Sequence, residues 1–439
     1  MSEPITKTLG FEEENRGYTM GEAINEAKRC LRCKNPQCVA GCPIENQIPD
    51  FIHALSKGNM GQAREIIAKK SNLPAVCGRV CPHEKQCEGH CILNHKNAPI
   101  RIGLLERFIA DFDSEMALIQ EKLAAKTRGK VAVIGSGPAG LTVAGDLAKT
   151  GFNVVVYEAE SEPGGVLLYG IPGFRLSREV VRREIDRISA LGVSFITNTI
   201  VGQDITVDEM FTQGFDAVFI GTGTALARDL TLPGYDLQGI LQSVYFLRMV
   251  TLFNSGVISR TEVPIYEGDQ VLVIGAGNVA MDAARTALRI GAHRVTVTYR
   301  GTADTMSALR SEYEEAVREG VHFLWETTPM AYEGKDGILT GLRVNGKDGE
   351  MILPATKLLV AIGSRPATRI VSTTNGIEVS DNGYVITRER PYGMTTLKGV
   401  FAGGDVVHQP ATVVLAMREA KRVAEGIAAY VDAKHLLGL

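Results

Sequence analysis

A strand–loop–helix–strand pattern between residues 130 and 158 constrains the fold of this chain most strongly. Residues 131–134 and 152–157 are β-branched apolar runs typical of buried parallel strands. Between them, residues 135–140 read Gly-Ser-Gly-Pro-Ala-Gly. Glycines at these three places allow a tight turn, close approach of a pyrophosphate and packing of helix on strand. We therefore predict a dinucleotide site in which Glu158 accepts the hydroxyls of an adenosine ribose; the alternative is a strand–turn–helix without a ligand.

The same pattern recurs between residues 270 and 300, with Ala280 in the place of the third glycine. The internal repeat predicts a second dinucleotide site in the chain. Its second strand, residues 294–299, is followed by Arg300 instead of an acidic residue. A cation at this place suits the 2′-phosphate of NADP. An ordinary solvated arginine is the alternative, because only one cation is present.

Residues 399–405 form the last predicted strand, and a helix is predicted over residues 412–429. Asp405 at the strand end can bind a ribityl hydroxyl, while the N-terminus of the helix faces the pyrimidine ring of a flavin. The alternative is that Asp405 only caps a helix. Residues 215–223 and 357–366 are apolar strands that close the first and second units.

All eight cysteines precede the first glycine loop. They form two runs, Cys30-x2-Cys33-x4-Cys38-x3-Cys42-Pro43 and Cys77-x3-Cys81-Pro82-x4-Cys87-x3-Cys91. Ferredoxin-type runs also end in Cys-Pro, and in two-cluster ferredoxins the cysteine before the proline binds the other cluster. The spacing favours two 4Fe–4S clusters, with structural zinc and free thiols as the alternatives. Helices are predicted over residues 48–69 and 104–126.

Length and charge limit the remaining classes. The 439 residues allow about three domains, predicted as residues 1–125, residues 126–245 with 370–439, and residues 246–369. A net charge of −3 gives no electrostatic case for nucleic acid or an anionic membrane. The polar N-terminus and the absence of a long apolar run predict a cytoplasmic protein. The predicted fold class is α/β, with two Rossmann-like domains of the disulfide-reductase type preceded by an α-helical domain carrying two iron–sulfur clusters.

Along nearly its whole length the chain resembles the small, FAD-containing subunit of bacterial glutamate synthase. Relatives of that family are the NAD(P)-binding portion of dihydropyrimidine dehydrogenases and the large subunit of NADH-dependent ferredoxin:NADP oxidoreductase. The resemblance rests on the cysteine runs and on five segments, residues 75–82 (AVCGRVCP), 99–103 (PIRIG), 133–140 (VIGSGPAG), 170–176 (GIPGFRL) and 401–405 (FAGGD).

The resemblance implies interleaved cluster ligands. One cluster would be bound by Cys30, Cys33, Cys38 and Cys91, and the other by Cys42, Cys81 and Cys87 with an oxygen ligand from Glu106. Cys77 would be a buried thiol that binds no metal. FAD would contact Gly135, Ser136, Gly137, Pro138, Ala139, Gly140, Glu158, Gly165, Arg175, Gly404, Asp405, Ala411 and Thr412. The nicotinamide nucleotide would contact Gly275, Ala276, Gly277, Asn278, Val279, Arg300, Ala361 and Gly363.

The implied function is that of a subunit through which electrons enter an enzyme. NAD(P)H, with a preference for NADPH, would reduce FAD, and electrons would leave singly through the two clusters to a partner subunit in a hetero-oligomer. The preference is weak because Gly301 and Thr302 follow Arg300 where NADPH-using relatives often have a second basic residue. No protein acid or base is expected, and the nucleotide domains contain no cysteine for a redox disulfide. The alternative is a zinc-bearing flavoprotein that acts as a nucleotide sensor or assembly factor.

Overall fold

The computed structural model describes residues 9–116 and 123–438 and divides the chain into two compact units. The larger unit comprises Glu14–Leu167, Arg175–Leu226 and Arg365–Leu439. The smaller unit comprises Met1–Glu13, Leu168–Phe174 and Ala227–Ser364. The domain boundaries given above stay a prediction. No helix within residues 9–116 and 123–438 is long and apolar enough to cross a membrane.

The elements are as follows. The described α-helices are α1 (Met20–Lys28), α2 (Gln37–Ala40), α3 (Ile48–Ser56), α4 (Met60–Ala68), α5 (Pro74–Val80), α6 (Ile102–Met116), α7 (Pro138–Lys149), α8 (Val166–Tyr169), α9 (Arg178–Ala190), α10 (Val207–Thr212), α11 (Ser243–Asn254), α12 (Asn278–Arg289), α13 (Arg310–Arg318), α14 (Arg369–Thr373) and α15 (Val413–Leu436). The described strands are β1 (Lys130–Ile134), β2 (Asn153–Tyr157), β3 (Ser194–Ile196), β4 (Ala217–Ile220), β5 (Leu226–Ala227), β6 (Ile240–Gln242), β7 (Gln270–Ile274), β8 (Arg294–Thr298), β9 (His322–Leu324), β10 (Thr328–Lys335), β11 (Ile338–Gly346), β12 (Gly349–Pro354), β13 (Lys357–Val360), β14 (Ser364–Arg365), β15 (Thr387–Glu389), β16 (Tyr392–Thr395) and β17 (Val400–Ala402).

The larger unit contains a seven-stranded sheet in the order β15-β16-β17-β4-β1-β2-β3. β1 pairs in parallel with β2 and β4, and β17 pairs in parallel with β4. Val131, Ala132 and Val133 are fully buried, as expected for a central parallel strand covered on both faces. The carboxyl ends of these parallel strands share one edge, where ligands of such sheets bind.

The smaller unit repeats this arrangement. Its five strands follow the order β6-β13-β7-β8-β9, and every pair is parallel. β10, β11 and β12 form a separate antiparallel sheet that the sequence analysis did not predict. The predicted strands at the start and end of both glycine-loop units are confirmed.

Two predicted helices are wrong in part. The segment 48–69 is two helices, because Gly58 adopts a φ of +76° and Asn59 caps α4 by accepting from Gln62 N at 3.1 Å. The segment 104–126 is helical from Ile102 to Met116, and residues 117–122 lie outside the described residues. Residues 123–126 are not helical; there the Lys126 ammonium donates to two helix-end carbonyls at 2.8 and 2.7 Å.

Buried ion pairs join helices of the cysteine region to α9. On α6, Asp113 accepts from Arg64 of α4 at 3.0 Å and from Arg187 of α9 at 2.7 Å. Asp111, also on α6, accepts from Arg79 of α5 at 2.8 Å. The side chains of Asp113 and Arg64 are each 4% exposed, so the pair is screened little by solvent. Three helices of the cysteine region are thus held against the α/β region of the same unit.

We expect Asp113→Asn to destabilise the larger unit by roughly 3–5 kcal/mol, because it leaves buried arginine charge without its counter-charge. Urea unfolding of anaerobically prepared protein measures the change. The matched control is Asp186→Asn on the exposed face of α9, which should change stability by less than about 0.5 kcal/mol. Equal unfolding midpoints for the two variants would contradict this account.

Candidate functional site

Of the three glycines in the loop after β1, only Gly137 has open space beside it that a ligand could occupy. Gly135 has a φ of +92°, and a Cβ atom there would lie 2.8 Å from the carbonyl oxygen of Gly221. A Cβ atom at Gly140 would lie 1.9 Å from the carbonyl oxygen of Gly135. At Gly137 the φ is −69°, and a Cβ atom would meet nothing within 4 Å. The open space beside Gly137 fits a pyrophosphate that approaches the backbone closely.

The helices that follow the two glycine loops begin without a side-chain cap. Gly137 before α7 and Gly277 before α12 have no side chain that could accept from the first backbone N–H groups. By contrast, Ser177 caps α9 and Thr206 caps α10 with their side-chain oxygens. Uncapped N–H groups at a helix N-terminus are suited to phosphate oxygens.

Glu158, directly after β2, is tied to the first glycine loop. Its buried carboxylate accepts hydrogen bonds from Ser136 N at 3.0 Å and Glu160 N at 2.9 Å, and also from the Ser136 hydroxyl. The Ser136 oxygen in turn accepts from Gly164 N at 2.8 Å. An ionised carboxylate offers about four acceptor positions, so capacity for a ribose hydroxyl remains.

Further predicted flavin residues meet at the same sheet edge. A Cβ atom at Gly165 would lie 2.9 Å from Gly137 Cα, and one at Gly404 would lie 2.8 Å from Ala139 Cβ. The Asp405 carboxylate accepts from the backbone N–H of Ala411, and burial raises the pKa of Asp405 to about 6. Its place beside this loop, together with the glycines, gives a cradle that fits a flavin nucleotide.

Two more of the predicted flavin residues lie at element ends. Thr412, not Asp405, caps α15, because its hydroxyl accepts from Leu415 N at 3.3 Å. Arg175 is half-buried in the segment that leads into α9.

The second glycine loop, in the smaller unit, has the same construction. Gly275 has a φ of +123°, and a Cβ atom there would lie 2.4 Å from the carbonyl oxygen of Ala361. The Ala276 carbonyl accepts from Ala308 N at 3.0 Å, and the Asn278 side chain accepts from Leu309 N at 2.9 Å. These bonds hold the loop after β7 against the segment before α13.

Several predicted nucleotide contacts stand around this loop. Val279 is exposed in the first turn of α12, and Arg300 is exposed two residues after β8. Gly363, with a φ of +104°, accepts from Arg228 N at 2.9 Å. Arg228, which forms this bond to Gly363, lies before the second glycine loop in no recognised motif and was not predicted.

The first cysteine set lines a cavity of about 60 Å³. Its sulfur-bearing residues are Cys30, Cys33, Cys38 and Cys91. A second cavity, of about 20 Å³, is lined by Cys42, Cys77, Cys81, Cys87 and Glu106. We call these the outer and the inner cavity. Four sulfur ligands in one and four sulfurs with one carboxylate in the other are donor sets that fit iron–sulfur clusters.

Burial suppresses ionisation of Cys38 in the outer cavity and of Cys42 in the inner cavity. It raises the pKa of Cys38 to about 12 and that of Cys42 to about 11. Thiols with such pKa values are protonated and unreactive at neutral pH, which argues against nucleophilic catalysis. Metal ligands must lose their protons, and the positive charge of a bound metal would stabilise the thiolates that burial alone disfavours.

Glu106 is buried in the inner cavity. Burial and the charge of Glu184 raise the pKa of Glu106 to about 8, and a hydrogen bond from the Asn46 amide at 3.4 Å opposes that shift. Asn46, His83 and Val414 also line this cavity, and none of them was found by sequence analysis. The only sequence signal for Asn46 and His83 is that each is a polar residue close in sequence to a cysteine. Val414 has no such signal.

Cys77 has neighbours other than the remaining cysteines. Its sulfur lies 3.6 Å from Met417 Sδ of α15 and 3.9 Å from the Ser71 hydroxyl. The inner cavity is therefore lined from the cysteine helices on one side and from α15 on the other.

Two family models match the chain, one over the cysteine region and one over the region of the two glycine loops. Residues 7–118 match the family described as dihydropyrimidine dehydrogenase domain II, 4Fe-4S cluster, and residues 129–420 match pyridine nucleotide-disulphide oxidoreductase. The glutamate synthase [NADPH] small chain of Halomonas elongata is 36% identical, over 97% of this chain and 94% of that protein. The chain belongs to the family of the glutamate synthase small chain. It is an NAD(P)H-dependent oxidoreductase that uses a flavin and iron–sulfur chemistry.

Another member, the NAD-dependent dihydropyrimidine dehydrogenase subunit PreT of Escherichia coli, is 34% identical over 96% of this chain and 97% of that protein. Among solved structures, Lactococcus lactis thioredoxin reductase covers 69% of this chain with a TM-score of 0.53 at 24% identity, and 99% of its own length is matched. Mycobacterium tuberculosis FprA covers 71% with a TM-score of 0.58 at 18% identity, over 86% of its length. These two likenesses show the fold, and the predicted fold class is confirmed.

We expect Gly137→Ala to fold but to lose most of its FAD, at least ten-fold in affinity. The backbone of Gly137 tolerates a side chain, so only a ligand that occupies the open space is displaced. Flavin content after purification and FAD titration of the apoprotein measure the effect. Gly61→Ala in α4 also meets open space and serves as the control, which should keep its FAD. Full flavin content in Gly137→Ala would show that no phosphate lies there.

Proposed function

We propose that this chain oxidises NADPH at FAD and delivers single electrons through two 4Fe–4S clusters to a partner subunit. Bound FAD accepts a hydride, and iron–sulfur clusters carry one electron at a time. The observation that carries the proposal is that α15 borders both the flavin cradle and the inner cavity. The residues of this chain bind, separate and connect the redox groups, and no acid or base is required of them.

The connection through α15 is short. Thr412 caps the helix directly after Ala411, whose N–H bonds to Asp405 in the flavin cradle. Val414, in the first turn, lines the inner cavity. A helical turn rises about 5.4 Å. The cradle and the inner cavity are therefore separated by about one turn of α15, which supports direct electron passage between them.

We assign the outer cavity to one cluster, bound by its four cysteines. We assign the inner cavity to the other, bound by Cys42, Cys81 and Cys87 with Glu106 as the oxygen ligand. The contacts of Cys77 with Met417 and Ser71 support its role as a thiol that binds no metal. Both sets combine cysteines of the two runs, and Cys42, which precedes Pro43, joins the set of the second run as the Cys-Pro pattern predicts.

Cofactor analysis of anaerobically purified protein tests the proposal. We expect two 4Fe–4S clusters and one FAD per chain, with absorbance near 400 nm that dithionite bleaches. Stoichiometric zinc with little iron would overturn the proposal in favour of a structural metal site.

The ligand assignment makes a specific prediction. Cys42→Ser should lose one cluster, whereas Cys77→Ser should keep nearly all its iron. Glu106→Ala should lose or distort the inner cluster, since a carboxylate ligand alters the charge and hydrogen bonding of the cluster. Iron content and the EPR spectrum of the reduced protein distinguish the three variants.

Reduction of FAD by NADPH should survive in all three variants, which serves as the control for folding. Equal iron loss in Cys42→Ser and Cys77→Ser would contradict the partition. Wild-type iron and EPR in Glu106→Ala would make Cys77 the fourth ligand of the inner cluster.

Arg300 supports the choice of NADPH. A charged hydrogen bond to the 2′-phosphate contributes about 1.5–3 kcal/mol, so Arg300→Ala should raise the KM for NADPH roughly 10- to 150-fold and leave that for NADH nearly unchanged. Arg294→Ala, exposed at the other end of β8, is the control. Steady-state reduction of ferricyanide with each nucleotide gives the ratio. A wild-type preference for NADH, or equal effects of Arg300→Ala on both nucleotides, would contradict the choice of NADPH.

The surface around the outer cavity favours the binding of a partner protein. Leu31 and Ile92 line it and are 61% and 53% exposed. Residues 27–44 and 89–105 contain no acidic residue, and Lys34 and Lys96 are exposed within them. The similarity to proteins named as small chains and subunits also favours a partner. A protein face with an apolar centre and acidic surroundings fits this surface.

Lys34→Glu combined with Lys96→Glu should slow reduction of an acidic ferredoxin by NADPH at least five-fold at low salt, because attraction between the two surfaces is lost. Reduction of the small acceptor ferricyanide should not fall. Lys335→Glu, exposed in the smaller unit, is the charge control. Ferredoxin rates that fall equally in the control would contradict a specific surface.

A further inference from the structure

A buried carboxylate of α9 touches the helix that leads into the inner cysteine set. Glu184 is 1% exposed, and its Oε1 accepts from Ala75 N at 2.8 Å. Its Oε2 is buried and has no hydrogen-bond partner in the described part of the chain. Ala75 is the second residue of α5, which contains Cys77 and ends immediately before Cys81. Neither the motifs nor the proposed function assigns Glu184 a role.

The surroundings of Glu184 contain charges of both signs. Arg187, one turn further along α9, places Nη1 3.9 Å from Glu184 Oε2. Arg187 and Arg64 share Asp113, as described above. Glu184 therefore lies in the buried interior between α5, α6 and α9, beside the helix that leads into the inner cysteine set.

We infer that Glu184 positions α5 and lowers the reduction potential of the inner iron–sulfur cluster. The inference rests on the proposed assignment of that cluster to Cys42, Cys81, Cys87 and Glu106. It goes beyond that assignment because Glu184 itself binds no metal.

The sign follows from charge alone. One-electron reduction adds a negative charge to the cluster, and a neighbouring carboxylate disfavours that charge while an arginine favours it. Burial strengthens both effects because the interior screens charges less than water does. Ala75 and Cys81 are six residues apart, or about 9 Å along a helix, so the carboxylate is close enough to act.

Replacing Glu184 separates its charge from its hydrogen bond. In Glu184→Gln the side-chain carbonyl can still accept from Ala75 N, but the negative charge is gone. We expect the midpoint potential of the inner cluster to rise, with iron and FAD content and the outer cluster unchanged. Arg187→Gln removes a positive charge from the same network, so it should shift the potential in the opposite direction. Asp186→Asn, exposed on α9, should shift neither.

An EPR-monitored dithionite titration of the anaerobic holoprotein measures both potentials. The signal that Cys42→Ser removes identifies the inner cluster. An unchanged inner potential in Glu184→Gln, or shifts of the same sign in Glu184→Gln and Arg187→Gln, would overturn the inference. If Glu184→Gln fails to retain iron, the Arg187→Gln variant is decisive. A lower midpoint potential of its inner cluster supports the inference, and an unchanged potential overturns it. A wild-type protein without iron signals would instead refute the proposed function.

Discussion

Burial of the ion pairs that join α4, α6 and α9 is the constraint on which the larger unit depends. Asp113 of α6 binds Arg64 of α4 and Arg187 of α9, and both partners in the Asp113–Arg64 pair are nearly inaccessible to water. Buried pairs of this kind cost desolvation free energy and return it only if their geometry is fixed. Electron transfer between a flavin cradle and a metal site requires the same fixed geometry, so the ion pairs and the redox sites depend on one another.

The inner cavity shows how burial determines chemistry. Cys42 and Glu106 are removed from water there, and their pKa values rise because the charged forms lose hydration. Without metal these groups are neutral and inert. In the proposed assignment they become ligands of a cluster whose iron balances their charge, and neighbouring charges such as Glu184 would then act on the potential of that cluster. In the first glycine loop, space and not burial determines which residues are allowed. A side chain at Gly140 would collide with the loop itself, whereas the space beside Gly137 is open to a ligand.

The sequence predicted those structural elements that are determined by residues close together in the chain. The parallel strands and the positions of Gly135 and Gly275 followed from residue order, because each glycine is forced by contacts at the adjoining strand ends. The break at Gly58 was missed because apolar spacing continues across it. Val414 and Glu184 could not be found, since each reaches the cysteine helices only through tertiary packing. The β10–β12 sheet was missed as well, and the helix predicted at residues 117–122 lies outside the described residues.

In the proposed route, electrons leave the flavin cradle through the inner cavity beside α15. Rapid-freeze EPR after anaerobic mixing with NADPH, with flavin absorbance followed in parallel, tests it most directly. The account predicts that the flavin bleaches first and that signals of reduced 4Fe–4S clusters then appear in the same chain. Flavin that bleaches fully while the clusters stay oxidised, although dithionite can reduce them, would contradict it.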